Sequence, residues 1–291
     1  MRARILALAP CAALLVALAA GPVAAAGGGG GSGGETPTVL VLGDSIGQGY
    51  ARGLERQGDF NVINAAEVNC SLVTTGKLQS YNTSITPDGT LPQACDNWRT
   101  DWSALVEQNQ PDIVLVITGG WEIVNRWFGD PVGPAATLRD KEFRAAFSDA
   151  YTEAADLLSA GGADVVFTTS WHIDPPRAQP YQEVNPDVYD IWWEPYGPDD
   201  APAGWGGPVE GQEFVSAHEK IDRLNKLKVK VGKKTDATTI NVAKFVSPDN
   251  EYVDTIDGVF VRDADLSHFN EDGNDIIAEY IEPKLKKIAN R

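Results

Sequence analysis

The sequence predicts a doubly wound α/β/α domain on a five-stranded, mainly parallel sheet. Three observations predict it. Short apolar runs, of the kind that fill strands covered on both faces, recur along the chain. Longer stretches with helical apolar spacing separate them, and that alternation makes parallel βαβ units. Two of the runs end in glycine, at Gly43 and at Gly119-Gly120, marking the strand ends where open α/β sheets place their ligands.

Residues 1–26 read as a leader. Arg2 and Arg4 precede the apolar run Ile5 to Ala20, and Ala24-Ala25-Ala26 closes it, the pattern of a secretory signal peptide. The run is short for a spanning helix, and an uncleaved N-terminal anchor is the alternative. Residues 27–36 are a glycine-rich tether. The domain is expected over 37–291.

Within it, Val39 to Leu42 is the first strand, which stops at Gly43 and delivers Ser45 to a helix reaching Leu54. Phe60 to Ala66 is the second strand. Residues 67–97 form a polar loop, long enough to be functional or stapled. A helix spans Trp98 to Asn109, and Ile113 to Ile117 is the third strand, ending at Gly119-Gly120-Trp121-Glu122. A helix from Lys141 to Ala160 closes on Gly161-Gly162, and Ala163 to Thr168 is the fourth strand. Residues 170–210 are rich in Pro, Gly, Trp and Asp and read as an insertion over the strand ends. A helix over Gln212 to Val231, a fifth strand over Thr238 to Val242, a hairpin about Asp257-Gly258 and a helix from Glu271 to Ile288 complete the chain.

Composition narrows the function. The chain carries 41 acidic against 24 basic residues, a net charge of −17. That argues against a nucleic-acid or anionic-membrane surface. Beyond the leader no stretch is long and apolar enough to span a membrane. Cys11 lies in the leader; Cys70 and Cys95 remain. In an oxidising compartment the simplest reading is one disulfide, with two free buried thiols as the alternative. Neither has a Cys or His at metal-ligand spacing, and no metal or organic cofactor is expected.

Ser45 carries the first chemical signal. It sits where a strand's carboxyl end meets a helix N-terminus, whose free N–H groups and dipole favour developing negative charge. Those are the conditions of an activated nucleophile, although a serine there also caps helices. Asp265-Leu266-Ser267-His268, just before the last helix, carries the second. An Asp three residues before a His in a loop can curl back onto Nδ1 and leave Nε2 facing outward. Alone, that pair reads equally as a surface loop; with Ser45 it reads as a triad.

Gly43-Asp44-Ser45 and Asp265-x-x-His268 resemble the first and last conserved blocks of the SGNH (GDSL-like) hydrolases. Within that family the chain is similar to the SGNH domains attached to membrane acyltransferases of the acyltransferase-3 type. The matching residues are Asn64, Cys70, Cys95 with Trp98, Trp121-Glu122 and Asp257-Gly258-Val259. The resemblance implies a flavodoxin-like three-layer fold and ester hydrolysis or O-acyl transfer. Ser45 would be the nucleophile, His268 the base and Asp265 its orienting acid. The sequence departs from the family at the third block. A Gly-x-Asn-Asp that would lend an asparagine to the oxyanion hole is replaced by Gly119-Gly120-Trp121-Glu122. The hole is therefore expected to use the main-chain N–H groups of Ser45 and Asn69 with Gly120 or Trp121.

Asp44, Glu122 and Trp171 are the candidates for substrate contact. Glu122 could bind an acceptor hydroxyl or pair with Arg126. Trp171, Trp192, Trp193 and Trp205 offer flat faces suited to sugar rings, or a small secondary core. His172 and His218 read as structural or surface groups. The expected function is a secreted, extracytoplasmic serine esterase or O-acyltransferase acting on O-acyl esters, chiefly O-acetyl, of cell-envelope carbohydrate. A separate membrane acyltransferase is a further expected partner, and no nucleic acid is. The alternatives are a catalytically weak glycan-binding module and a lipase or thioesterase.

Overall fold

In the computed structural model the residues described are 36–79, 90–91, 93–172 and 215–291. Strands β1 (Thr38–Gly43), β2 (Asn61–Asn64), β5 (Ile113–Ile117), β7 (Asp164–Thr168) and β8 (Thr238–Ile240) form one sheet in the order β2-β1-β5-β7-β8. All four pairings are parallel, in registers such as Val39 with Val62 and Leu40 with Val114. Taken in order of their appearance in the chain, these five strands lie 2-1-3-4-5. Their order reverses between β1 and β5, the switch point beside which open α/β sheets place their ligands, at the carboxyl ends of the strands.

Strand periodicity explains the layers. Alternate side chains point to opposite faces. Leu40, Leu42, Val114, Val116, Val165 and Phe167 meet helices α2 (Trp98–Asn109), α4 (Lys141–Ser159) and α5 (Ala217–Lys234). Val39, Val41, Ile113, Leu115 and Ile117 meet α1 (Ser45–Gln57) and the last helix, α7 (Glu271–Ala289). Every apolar residue of β1 and β5 is buried, which is why these strands read as continuous apolar runs.

The structure adds to the sequence reading in four places. The loop 67–97 contains β3 (Lys77–Gln79) and β4 (Thr90–Leu91), which join β6 (Arg126–Trp127) in a small antiparallel sheet. Strands this short, with little alternation, leave no sequence signal. The turn after β5 is a one-turn helix, α3 (Gly120–Ile123). Helix α5 starts at Ala217, capped by Ser216, and runs on to Lys234. A second short helix, α6 (Ala243–Val246), follows β8. The hairpin forms as expected: β9 (Thr255–Ile256) pairs with β10 (Val259–Phe260), and Asp257 and Gly258 both take positive φ, as a type I′ turn requires. The insertion from 173 onward, with Trp192, Trp193 and Trp205, lies outside the described residues. No described helix is long and apolar enough to cross a membrane.

Cys70 and Cys95 are joined in a disulfide, with Cα atoms 5.1 Å apart. It anchors the start of α2 to the segment leaving β2. Gly43 holds the other critical junction. Its φ is +124°, and a Cβ there would lie 1.7 Å from the carbonyl oxygen of Ile117. Replacing Gly43 by Ala should therefore lower stability by about 2–4 kcal/mol, read as a fall in thermal midpoint. Cys95→Ser should cost about the same, roughly 2–4 kcal/mol, through the freed loop.

Candidate active site

The site grows from the carboxyl end of β1. After Gly43 the chain turns, and the Asp44 main-chain N–H donates to the carbonyl of Ile117 at 2.9 Å. The Asp44 side chain completes the junction. Oδ1 accepts from the N–H of Ile46 at 3.0 Å and caps α1, while Oδ2 accepts from the N–H of Gly119 at 2.9 Å. One buried carboxylate thus ties the end of β1 to the end of β5. Burial pushes the Asp44 carboxyl up to about 6, against the lowering effects of the Ile46 N–H, Lys228 and His268. Asp44 is 1% exposed, so the expectation that it contacts substrate does not fit its place. Its two oxygens face the main chain.

Ser45, the next residue, is the first of α1 and is partly exposed. Its Oγ lies 2.8 Å from His268 Nε2. The other ring nitrogen, Nδ1, bonds to Asp265 Oδ2. Asp265 Oδ1 also accepts from the N–H groups of Ser267 at 2.9 Å and His268 at 2.8 Å. A single carboxylate therefore both shapes the turn and fixes the imidazole tautomer. The His268 side chain is 31% exposed and that of Asp265 is 10% exposed. The imidazole is partly open while the carboxylate beside it is shielded. Burial alone would push the His268 imidazole down, but the hydrogen bond and charge of Asp265, with Asp44 and Asp263 further off, outweigh it. The pKa sits above the ordinary 6.5. Burial raises the Asp265 carboxyl, and its bonds to His268 more than reverse this, leaving it below the usual carboxylate value.

Two main-chain turns flank Ser45. On the β2 side, Glu67 donates its N–H to the carbonyl of Gly43 at 2.8 Å, and Gln48 Nε2 donates to the carbonyl of Ala66 at 2.9 Å. These bonds pin the segment that carries Asn69 over the first turn of α1. Asn69 itself takes φ +67°, a left-handed conformation that asparagine tolerates better than most residues. On the β5 side stands Gly119, held by Asp44, followed by Gly120. The Trp121 side chain does not open onto a ligand. It is 5% exposed and packs with Leu78 and Val124.

Glu122 is fully buried. Its carboxylate accepts from Ser71 Oγ and from the Leu72 N–H, both at 2.8 Å, and from the Tyr151 hydroxyl at 3.3 Å. The expected substrate contact is therefore corrected: Glu122 braces the loop that follows Asn69 and Cys70. Arg126 lies beside it, donating to the carbonyls of Val73 and Trp121. Burial pushes the Arg126 guanidinium down to about 10, against the opposing charge of Glu122. Trp171 is likewise 3% exposed, which leaves no face for a sugar ring. Its indole N–H donates to the carbonyl of Ser267 at 3.0 Å. His172 is buried with Nε2 at 3.1 Å from Asp222, and its ring meets His218 edge to face. His172 is 1% exposed.

Three buried groups escaped the sequence reading. Lys228 donates to the carbonyls of Thr118 and Thr168 and to Ser170 Oγ, the latter two at 3.0 Å. Its three N–H bonds meet three oxygens at the ends of β5 and β7. Burial pushes its ammonium down to about 8. The spacing Ile221, Leu224, Lys228, Val231 already set it on the buried stripe of α5. The Tyr151 hydroxyl bonds to Thr118 Oγ1, linking α4 to the end of β5. Arg262 stands three residues before Asp265, and its Nη1 reaches the Ser267 carbonyl at 3.4 Å. Among the described residues, no group of three His, Cys, Asp or Glu is placed to hold a metal ion.

A family model described as an SGNH domain fused to AT3 domains matches residues 11–283. Among solved structures, TesA shares 18% identity at a TM-score of 0.47, over 86% of this chain and 99% of TesA. LAE5, an alpha/beta hydrolase from the metagenome of Lake Arreo in Spain, shares 11% at 0.46, over 84% and 94%. The acetyl xylan esterase AlAXEase shares 14% at 0.43, over 85% and 99%. No curated protein sequence gives a significant match. With the family model matched along almost its whole length, this chain belongs to the SGNH domain family.

Proposed function

We propose that this chain is a serine esterase or O-acyltransferase that acts on O-acyl, chiefly O-acetyl, esters of cell-envelope carbohydrate through an acyl-Ser45 intermediate. The observation that carries the reading is the 2.8 Å contact of Ser45 Oγ with His268 Nε2, with Asp265 held on Nδ1. In the proposed reaction Ser45 Oγ bonds to the acyl carbon as its proton passes to His268 Nε2. The tetrahedral intermediate carries its negative charge on the former carbonyl oxygen. Main-chain N–H groups of Ser45, Asn69 and the Gly120 turn are the proposed donors to it. The intermediate then breaks the carbon–oxygen bond to the alcohol, which leaves with the proton from Nε2. Water or a sugar hydroxyl repeats the sequence on the acyl-enzyme and frees Ser45.

The carbohydrate part of the reading rests on the family's fusion to AT3 domains. The envelope setting rests on the leader and on the disulfide, a bond that persists in oxidising compartments. Hydrolysis and transfer share the acyl-enzyme and differ only in the second nucleophile. A separate membrane acyltransferase supplying the acyl group is a proposed partner for the transfer route.

Turnover of p-nitrophenyl acetate tests the reading. Ser45→Ala should release p-nitrophenol at the background rate, and a fluorophosphonate probe should label Ser45 in the wild type. Equal rates from wild type and Ser45→Ala would leave a glycan-binding module as the better account. Asp265→Asn should reduce kcat by roughly 10³–10⁴-fold with little change in KM. The pH profile has a definite sign. The base works only as neutral imidazole, so kcat/KM should rise with pH through a midpoint above 6.5, where Asp265 holds the His268 pKa. A profile flat across that range would remove His268 as the base.

A further inference from the structure

Ser267 lies between Asp265 and His268. The turn around it is closed by its own backbone. Asp263 donates its N–H to the carbonyl of His268, Leu266 donates to that of Asp263, and Arg262 bridges to Phe269. Inside this closed loop Leu266 takes φ +55°. A branched, apolar residue in the left-handed region is strained, and such a conformation persists only when surrounding contacts hold it. The loop's own hydrogen bonds do not use the Ser267 oxygen. Two side chains do: the Trp171 indole N–H from outside the loop at 3.0 Å, and Arg262 Nη1 from its rim at 3.4 Å.

Trp171 makes a second contact that matters. A Cβ placed on Gly119 would come within 3.1 Å of the Trp171 six-membered ring, so ring and backbone are in close contact there. The Gly119 N–H is the one accepted by Asp44, the residue before Ser45. The same indole also packs edge to face on Phe269, the residue after His268, with centroids 5.6 Å apart. Arg262 also packs on Phe269, its guanidinium 4.1 Å from that ring's centroid and its Nε bonded to the carbonyl of Val253. One rigid ring therefore touches the loop of the base and the strap that places the nucleophile.

We propose that Trp171, seconded by Arg262, is a positioning residue that holds the Asp265–His268 turn in shape and sets its distance from Ser45. This rests on the esterase reading for its catalytic meaning, though the geometry it describes does not. Trp171 touches no reacting atom. Its N–H fixes the peptide that carries His268, and its ring fixes how far that peptide stands from Gly119. Packing alone would be met by any large apolar side chain at 171; the bond to Ser267 needs the indole nitrogen.

Trp171→Phe separates the two, because it keeps an aromatic ring and removes the N–H. The chain has three histidines, so the imidazole of His268 can be followed by NMR titration. In the wild type it should titrate above 6.5, and in Trp171→Phe its midpoint should fall towards that value as the bond to Asp265 loosens. With p-nitrophenyl acetate, kcat should fall about tenfold or more while KM holds, as expected for misplacement of a catalytic group. The acid limb of the pH profile should move down with the NMR midpoint. Arg262→Lys, which keeps the charge without the planar fork, should act in the same direction and more weakly. It takes the place of Trp171→Phe if that variant does not fold. An unmoved His268 titration in the folded variant, or a loss of activity that follows only the thermal midpoint, would overturn the proposal. A wild type that hydrolyses no ester would instead count against the esterase reading, and the NMR comparison would still decide the role of Trp171.

Discussion

The site depends on one buried carboxylate. Asp44 stands where β1 ends and α1 begins, and its oxygens accept from the first turn of α1 and from the end of β5. Gly43 allows this by bringing the backbone against Ile117 where no side chain would fit. Burying a carboxylate is costly, and burial pushes the Asp44 carboxyl up to about 6. The Ile46 N–H bond offsets part of it, with the charges of Lys228 and His268 nearby. The arrangement fixes the direction in which Ser45 leaves the strand. Without it the serine would sit on a helix end free to pivot about the turn.

Around that carboxylate lies a buried polar layer across the carboxyl edge of the sheet. Lys228 gathers the last carbonyls of β5 and β7. Tyr151 joins Thr118 to Glu122, and Glu122 in turn holds Ser71 and Leu72. Polar groups in a core are costly when unpaired and rigid when paired. Parallel strands leave their terminal carbonyls pointing out of the sheet, and an ammonium with three donors is an economical way to satisfy them. The layer locks the loops that flank Ser45 to the stiffest part of the molecule. Asp44, Glu122 and Trp171 belong to this buried layer and present almost no surface.

The fold was largely legible because its strands are buried on both faces. Val39 to Leu42 and Ile113 to Ile117 can only be read as interior strands, and their parallel pairing follows from the helices between them. The Asp257-Gly258 turn was legible for a different reason, since few residue pairs accept two positive φ values in succession. The small sheet of β3, β4 and β6 was not, because two- and three-residue strands are held by position rather than by pattern. Within the site, Ser45, Asp265 and His268 stood out as residue types in a local motif. Asp44, Glu122 and Trp171 were singled out too, but as ligands of substrate. The structure buries all three, so the structural readings that the sequence also allowed for Glu122 and Trp171 fit their places better. Sequence shows that a polar or aromatic residue follows a strand end, and not which way it turns; that depends on partners such as Gly119, Leu72 and Ser267, far away in the chain.

That burial bears on the replaced asparagine. A tryptophan stands where the family's usual pattern would offer a side-chain amide, and it is packed against Leu78 and Val124. On the esterase reading, an oxyanion must then be met by main-chain N–H groups alone. Side-chain donors are set by rotamers, whereas main-chain donors are set by the path of the backbone. Two buried carboxylates fix that path here: Asp44 holds Gly119 on one side of Ser45, and Glu122 holds Leu72, three residues past Asn69, on the other. Losing the amide would move the burden of preorganisation from one side chain to these two braces. The acidic residues that look like chemistry in the sequence then act one step behind it, by keeping the peptide groups in place.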